Sequence, residues 1–282
     1  MKKAFFIFMI AAAALSAAAR SDVNDYKRFS ITDRRKLEWT EGGALSLTEI
    51  AGEIYVRPGD KNFIQLNGIK TAFGDTLDMA REEAKKIEIS IAAPADRIDV
   101  TTKLGRRKNG LPFGLIDYDA RMPADAQAQL KTVSGEINAA RLNGPVSAET
   151  FTGPVNLYDI KGRVEVITIS GDIDIEDCPE TASAVSRAGR IYFEAVKLTS
   201  KEVLLESMSG DVTVKLQEGE SAEFEVDTVS GLIDTSGAKL KTLEDAVGIK
   251  RFKAGEGGAT IRIKTVSGKV SIIQFPKVKE YR

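Results

Sequence analysis

Apolar and polar positions alternate in short bursts along most of the chain, and from residue 132 the bursts return at a fixed interval. Glycines stand at 135, 144, 153, 162 and 171, nine residues apart; position 180 is Glu, and Gly189 resumes the beat. Every second glycine carries a fuller signature. The units read T-V-S-G-E-I (132–137), T-F-T-G-P-V (150–155), T-I-S-G-D-I (168–173), S-R-A-G-R-I (186–191), S-M-S-G-D-V (207–212), T-V-S-G-L-I (228–233) and T-V-S-G-K-V (265–270). Their spacings are 18, 18, 18, 21, 21 and 37 residues. Such self-similarity marks a repeat architecture, in which a coil buries its apolar side only against its neighbours and at least three copies are needed.

Two residues after each glycine come Ile137, Val155, Ile173, Ile191, Val212, Ile233 and Val270, all β-branched and suited to a pleated, half-buried surface. Two residues before it come Val133, Phe151, Ile169, Arg187, Met208, Val229 and Val266, apolar in six of seven units. Because alternate strand residues share a face, both columns are expected to line one interior stripe, with the glycine between them at a bend, a bulge or a close backbone approach. Leu142-x-Gly144-x-Val146 and Ile160-x-Gly162-x-Val164-x-Val166 repeat the same phase half a unit later. Two strands per coil predict two sheets facing across a thin core.

The N-terminal half is less regular. Ile50-x-Gly52-x-Ile54-x-Val56 shows the phase once, and strands are predicted over 44–48, 53–57, 62–69, 87–91 and 97–103. Asp78 to Lys86 has helix-forming composition. Lys103, Arg106, Arg107 and Lys108, with Gly105 and Gly110, read as an exposed basic hinge loop. The long gap after Gly231 predicts an insertion around 236–258, a protruding loop or an irregular coil. The fold class is therefore all-β: a β-solenoid or β-roll of coils of about 18–21 residues. Residues 20–130 form the less regular N-terminal β region capping it, residues 131–275 the regular coils, and the whole is one continuous domain over 20–282.

The first residues change the setting. Lys2 and Lys3 precede an apolar run of 12 residues, Ala4 to Leu15, and then Ser16-Ala17-Ala18-Ala19, the pattern of a secretory signal peptide over 1–19. A spanning helix needs roughly 20 apolar residues, so this run is short for an anchor, and no second run of spanning length follows. Export to the periplasm, the cell surface or the medium is expected. Without the leader, 38 basic groups face 41 acidic ones, which gives no basic footprint for nucleic acid. The chain has no histidine, which excludes Ser-His-Asp and Cys-His catalysis and His-ligated metals. Its one cysteine, Cys178, reads as a small buried apolar residue.

The mature chain resembles the bacterial putative-adhesin β-strand-repeat family, also catalogued as domain of unknown function 4097. The resemblance is carried by I-A-G-E-I-Y-V (50–56), D-A-R-M-P-A-D-A-Q-A-Q-L-K-T-V-S-G-E-I (119–137), the T-x-S-G-x-I/V units, and G-G-A-T-I-R-I-K-T-V-S-G-K-V-S-I (257–272). It covers residues 40–275 or so; Arg187, Ala188 and the missing glycine at 180 depart from it. It implies a fold and export, and brings no catalytic residues. Calcium-binding β-rolls have a similar period, but their G-G-x-G-x-D turn is absent.

Asp172, Asp174 and Glu176, followed by Asp177, make the leading chemical candidate, an acidic stripe opposite Ile173 and Ile175. Stacked carboxylates suit calcium, and paired ones glycosidic cleavage, yet a strand with one face in water looks the same, and the solvated face is the reading adopted. Asp117 and Asp119 flank Tyr118 in the same way. The serine column (134, 170, 209, 230, 267) reads as a turn or ladder device. No catalytic, cofactor-binding or metal residue is assigned, and no cofactor. The expected function is a non-enzymatic structural or interaction protein, adhesin-like, meeting a protein or glycan at the cell envelope. The alternative is a carbohydrate-active enzyme or glycan-binding module on a β-helix scaffold.

Overall fold

The computed structural model describes residues 26–94, 96–105, 114–246 and 248–277. The leader expected over 1–19 and Arg106, Arg107, Lys108 and Gly110 of the basic loop lie outside these residues. The chain divides into two compact units, one through Asn138 with Thr150–Thr152, the other Ala139–Glu149 with Gly153 onward. Strands β9 (Ile137–Ala140) and β10 (Val146–Thr152) carry the chain between them.

In the first unit one sheet runs β1 (Lys27–Glu38), β4 (Phe63–Gly74), β7 (Gly114–Met122), β3 (Ile54–Pro58). The other runs β8 (Gln127–Ser134), β2 (Ala44–Thr48), β6 (Arg97–Lys103), β5 (Glu88–Ala92). Alternate residues bury Leu45 and Leu47 from β2, Ile98 and Val100 from β6, and Ile116, Tyr118 and Ala120 from β7. The expected helix is present as α1 (Leu77–Lys85), capped by the Thr76 hydroxyl, which accepts from Met79 N at 3.2 Å. β1 is a strand the pattern did not predict, because its inward-phase positions include Asp33 and Arg35.

The second unit is the regular array. One sheet runs β11 (Val155–Tyr158), β13 (Ile173–Glu176), β15 (Ile191–Ala195), β17 (Val212–Gln217), β23 (Val270–Phe275), β19 (Ile233–Gly237), all parallel. The other runs β12 (Val164–Ser170), β14 (Thr181–Ser186), β16 (Glu202–Ser207), β22 (Ala259–Thr265), β18 (Ala222–Thr228), β21 (Ile249–Ala254), β20 (Lys241–Asp245). Stacked coils of two strands, with a core of Ile and Val from both sheets, make this the expected solenoid. Two features depart from a simple spiral. The insertion after Gly231 folds as the β20–β21 hairpin, and β21 lies antiparallel on β18. The coil that follows it, β22 and β23, does not extend the array but enters it, between β16 and β18 in one sheet and between β17 and β19 in the other.

The glycine of the signature marks where backbones touch. A Cβ on Gly171 would lie 1.9 Å from the carbonyl oxygen of Gly153, and one on Gly189 2.0 Å from that of Gly171. The same holds for Gly210 on Gly189, Gly268 on Gly210 and Gly231 on Gly268, so the column follows the spatial order of the coils. The column two residues after glycine is interior as expected in six of seven units, Ile233 on the end strand β19 being only half-buried, but the column two before it is not. Val133, Phe151 and Ile169 are only half-buried, and Met208, Val229 and Val266 are exposed. The chain turns at the S-G step from one sheet to the other, and period-two counting slips by one residue across the corner. The interior residue is the one three before glycine: Thr132, Thr150, Thr168, Ser186, Ser207 and Thr265 are all buried.

Candidate functional site

Thr or Ser fills every one of these seven positions, which the sequence reading passed over; several of the hydroxyls hold the corners, while those of Thr132 and Thr168 have no hydrogen-bond partner among the described residues. The Ser207 hydroxyl accepts from Gly210 N at 2.9 Å and donates to the carbonyl of Gly189, one coil away, at 3.0 Å. Thr228 and Thr265 accept from Gly231 N and Gly268 N at 2.9 and 3.0 Å, and Ser186 donates to Gly171 O at 3.1 Å. A buried hydroxyl so placed meets both needs locally. The serine column lies outside this: Ser170, Ser209, Ser230 and Ser267 are exposed, and Ser230 Oγ donates to Val266 O of the adjoining coil at 3.1 Å.

The acidic stripe is tied to a cation. Arg190 bonds both oxygens of Asp174, at 2.9 and 3.0 Å, and its backbone N–H donates to Asp172 Oδ1 at 2.8 Å. Partial burial raises the Asp174 carboxyl, and Arg190 opposes that rise. Glu176 is exposed, while Asp177 leaves the stripe altogether, in a left-handed turn with φ 53°. Among the described residues no group of three or more His, Cys, Asp or Glu is placed to hold a metal ion. Asp117 accepts from Glu53 N at 3.0 Å, and Asp119 takes a forked bond from Arg57 at 2.8 and 3.2 Å. Cys178 is buried, and burial pushes its thiol up to about 12.

Residues just after the column glycine alternate in charge once the coils are taken in spatial order: Asp172, Arg190, Asp211, Lys269. Lys269 N donates to Asp211 Oδ1 at 2.7 Å and its ammonium lies 2.9 Å from Asp234. Asp234 is thereby held below the usual carboxylate range, first by the Ser236 hydroxyl and then by Lys269. The charge order fits the inserted coil and not the order of the chain.

Two surface features of the second unit remain. Met208, Val266 and Val229 lie on successive coils, bonded through Val266 N to Met208 O at 3.2 Å and Ser230 N to Val266 O at 2.9 Å. They are 51%, 45% and 79% exposed, and Leu232 beside Val229's turn is 67% exposed, so the slipped column becomes an apolar ridge. A groove of about 660 Å³ opens among the turns carrying Lys201, Glu220, Ser221 and Gly257–Gly258.

In the first unit, Glu49 is buried with 1% exposure. Its Oε1 accepts from Ala51 N at 3.0 Å, and its Oε2 accepts from the Thr102 hydroxyl, which lies 2.8 Å from the Tyr118 hydroxyl. Burial pushes its carboxyl up to about 7, against the pull of those hydrogen bonds. The sequence did signal it: Leu45, Leu47, Glu49 and Ala51 share one alternating phase.

The model of the Toastrack family, DUF4097, matches residues 20–273. No curated protein matches the chain. Among solved structures, a putative cell adhesion protein from Clostridium sporogenes aligns at 12% identity and TM-score 0.37, covering 88% of this chain and 100% of its own. A putative adhesin from Bacteroides fragilis aligns at 12% identity and TM-score 0.39, covering 87% and 97%. A protein from Parabacteroides distasonis described as a putative lipid binding protein aligns at 9% identity and TM-score 0.29, covering 86% and 96%.

Proposed function

The chain belongs to the Toastrack family, and on that footing we propose that it is an exported, non-enzymatic interaction protein of the bacterial cell envelope, adhesin-like in using its coils to present a surface. The apolar ridge of Met208, Val266, Val229 and Leu232 carries this reading. Scattered exposed apolar residues need no explanation, but a run in register along adjoining coils is what a partner would bury. The leader pattern supports export, and the lack of histidine removes Ser-His-Asp and Cys-His catalysis. Two measurements test the reading. Fractionation with N-terminal mass spectrometry should place a mature chain beginning near Arg20 in the envelope. Retention on immobilised envelope protein and glycan fractions should fall at least tenfold in Val229→Glu/Leu232→Glu with an unchanged melting temperature. Cytoplasmic protein keeping Met1, or undiminished retention, would refute it.

The glycan-binding reading has one observation of its own. Tyr158 is 50% exposed on the outer face of β11, and Tyr192 on β15 has Lys215 over its ring at 4.9 Å and its hydroxyl bonded to Glu194. Tyrosine faces beside carboxylates stack on sugar rings. Loss of saccharide retention in Tyr158→Ala, with the ridge variant unaffected, would favour it.

A further inference from the structure

Three residues before each column glycine the coils place Thr or Ser, with one exception. In the first coil the glycine is Gly52 and the residue three before it is Glu49. Glu49 N donates to Lys131 O at 2.8 Å, which sets Glu49 beside Thr132 of the same column. A hydroxyl can meet its hydrogen-bonding needs in that corner; an ionised carboxyl there lacks the water or cation that would stabilise it.

The groups that face Glu49 supply no such cation. From β6 comes the Thr102 hydroxyl, from β7 the Tyr118 hydroxyl and the carboxylate of Asp117, and from β8 the Lys131 carbonyl and the Thr132 hydroxyl. The Thr132 hydroxyl is buried and has no hydrogen-bond partner among the described residues. Beyond Tyr118, Asp33 of β1 engages both Arg35, at 2.7 Å, and Lys70 of β4, at 3.0 Å. Asp117 adds like charge to Glu49, Asp33 adds like charge to Tyr118, and Arg35 and Lys70 are engaged by Asp33.

We propose that Glu49, Thr102 and Tyr118 form a proton-operated latch: with the proton on Glu49 the cluster ties β2, β6 and β7 across the core of the first unit, and its loss loosens β6 with its edge neighbour β5. The protonated carboxyl is neutral and keeps a donor for the hydroxyls around it. The carboxylate is an uncompensated charge whose relief is to draw water in, and β5, with no fully buried residue, is the side that yields.

The direction follows from linkage. The folded chain holds a proton that the unfolded chain releases above its ordinary value of 4.5, up to about 7. This contribution is whole below pH 4.5, declines as pH rises and levels off above 7. A displacement of that size lowers the folding equilibrium constant by about 300-fold across the window.

The test uses the full chain and its Glu49→Gln variant, a permanently neutral isostere. Hydrogen exchange at pH 5 and pH 8, corrected for intrinsic rates, should show wild-type protection falling by up to about 70-fold in 97–103 and 88–92, and no such fall in the variant. Direct NMR titration of the wild-type Glu49 carboxyl should give a midpoint near 7. An ordinary carboxylate midpoint, or the same pH-dependent loss in Glu49→Gln, overturns the latch. Should the variant not fold, the wild-type titration alone decides.

Discussion

A methyl group at Gly189 should undo a corner. The Cβ would lie 2.0 Å from Gly171 O, 2.5 Å from Gly171 C and 2.9 Å from Ser186 Oγ, and two of these are backbone atoms of the adjoining coil, which cannot swing aside. Restoring ordinary contact requires the two coils to part by more than about 1 Å against a strand spacing of about 4.8 Å. Three hydrogen bonds to main-chain carbonyls cross that seam at the corner: Ala188 N to Ile169 O at 3.1 Å, Ile173 N to Arg190 O at 2.9 Å, and Ser186 Oγ to Gly171 O at 3.1 Å. At about 1 kcal/mol each, plus overpacking of about 1–2 kcal/mol, Gly189→Ala should cost about 4–5 kcal/mol. With a slope of about 2–3 kcal/mol/M, the urea midpoint should fall by about 1–2 M. Gly237→Ala is the control, since its Cβ would meet Ile273 Cγ1 and Cγ2 at 3.3 Å and no backbone atom nearer than 3.6 Å, and it should move stability by about 0.5 kcal/mol or less. Equal midpoints for the two variants would show that the glycine column is not a contact seam.

Ile173→Asp should cost several kcal/mol in the same titration by burying an unpaired carboxylate, while Glu176→Gln, exposed three residues on, should cost about 0.5 kcal/mol or less. Melting temperatures with chelator and with millimolar calcium should coincide, because Arg190 occupies the carboxylates that would ligate; a rise lost in Asp172→Asn/Asp174→Asn would refute this. Lys269→Glu sets a carboxylate beside Asp211 and Asp234 and should lower the melting temperature of the array at low salt, with partial recovery in high salt; an effect independent of salt would deny the charge order its role.

Much of the fold was legible because it repeats. The β-branched residues from Ile137 to Val270, Ile233 apart, found their interior face, and the N-terminal strands and α1 fell within a few residues of expectation. The column Val133 to Val266 was placed on the wrong face because alternation holds within a strand and not around a corner. β1 escaped because Asp33 and Arg35, which engage each other, stand where apolar residues would have announced a strand. The spatial order of the last two coils could not be read from spacing, since T-V-S-G-L-I and T-V-S-G-K-V would stack equally well; Lys269 against Leu232 was the hint. Of the candidate sites, the stripe was legible as residues but not as a pair with Arg190, which lies 16 residues from Asp174 in the chain and one strand away in the sheet.

The inserted coil makes the array a structure that cannot be laid down in the order it is synthesised. Through β17 each new coil can settle on the one before it as the chain emerges. β18 and β19 then arrive with no permanent seat, and must stand off with their β20–β21 hairpin until β22 and β23 slide in as a keystone. In an ordinary solenoid a cut before the final coil shortens the rod by one step. Here a cut after residue 258 leaves an unfilled slot with open strand edges on both sides, an invitation to proteases and to other edges. Only a chain that has delivered residues 259–275 can close, so the geometry doubles as a completeness check on the chain itself.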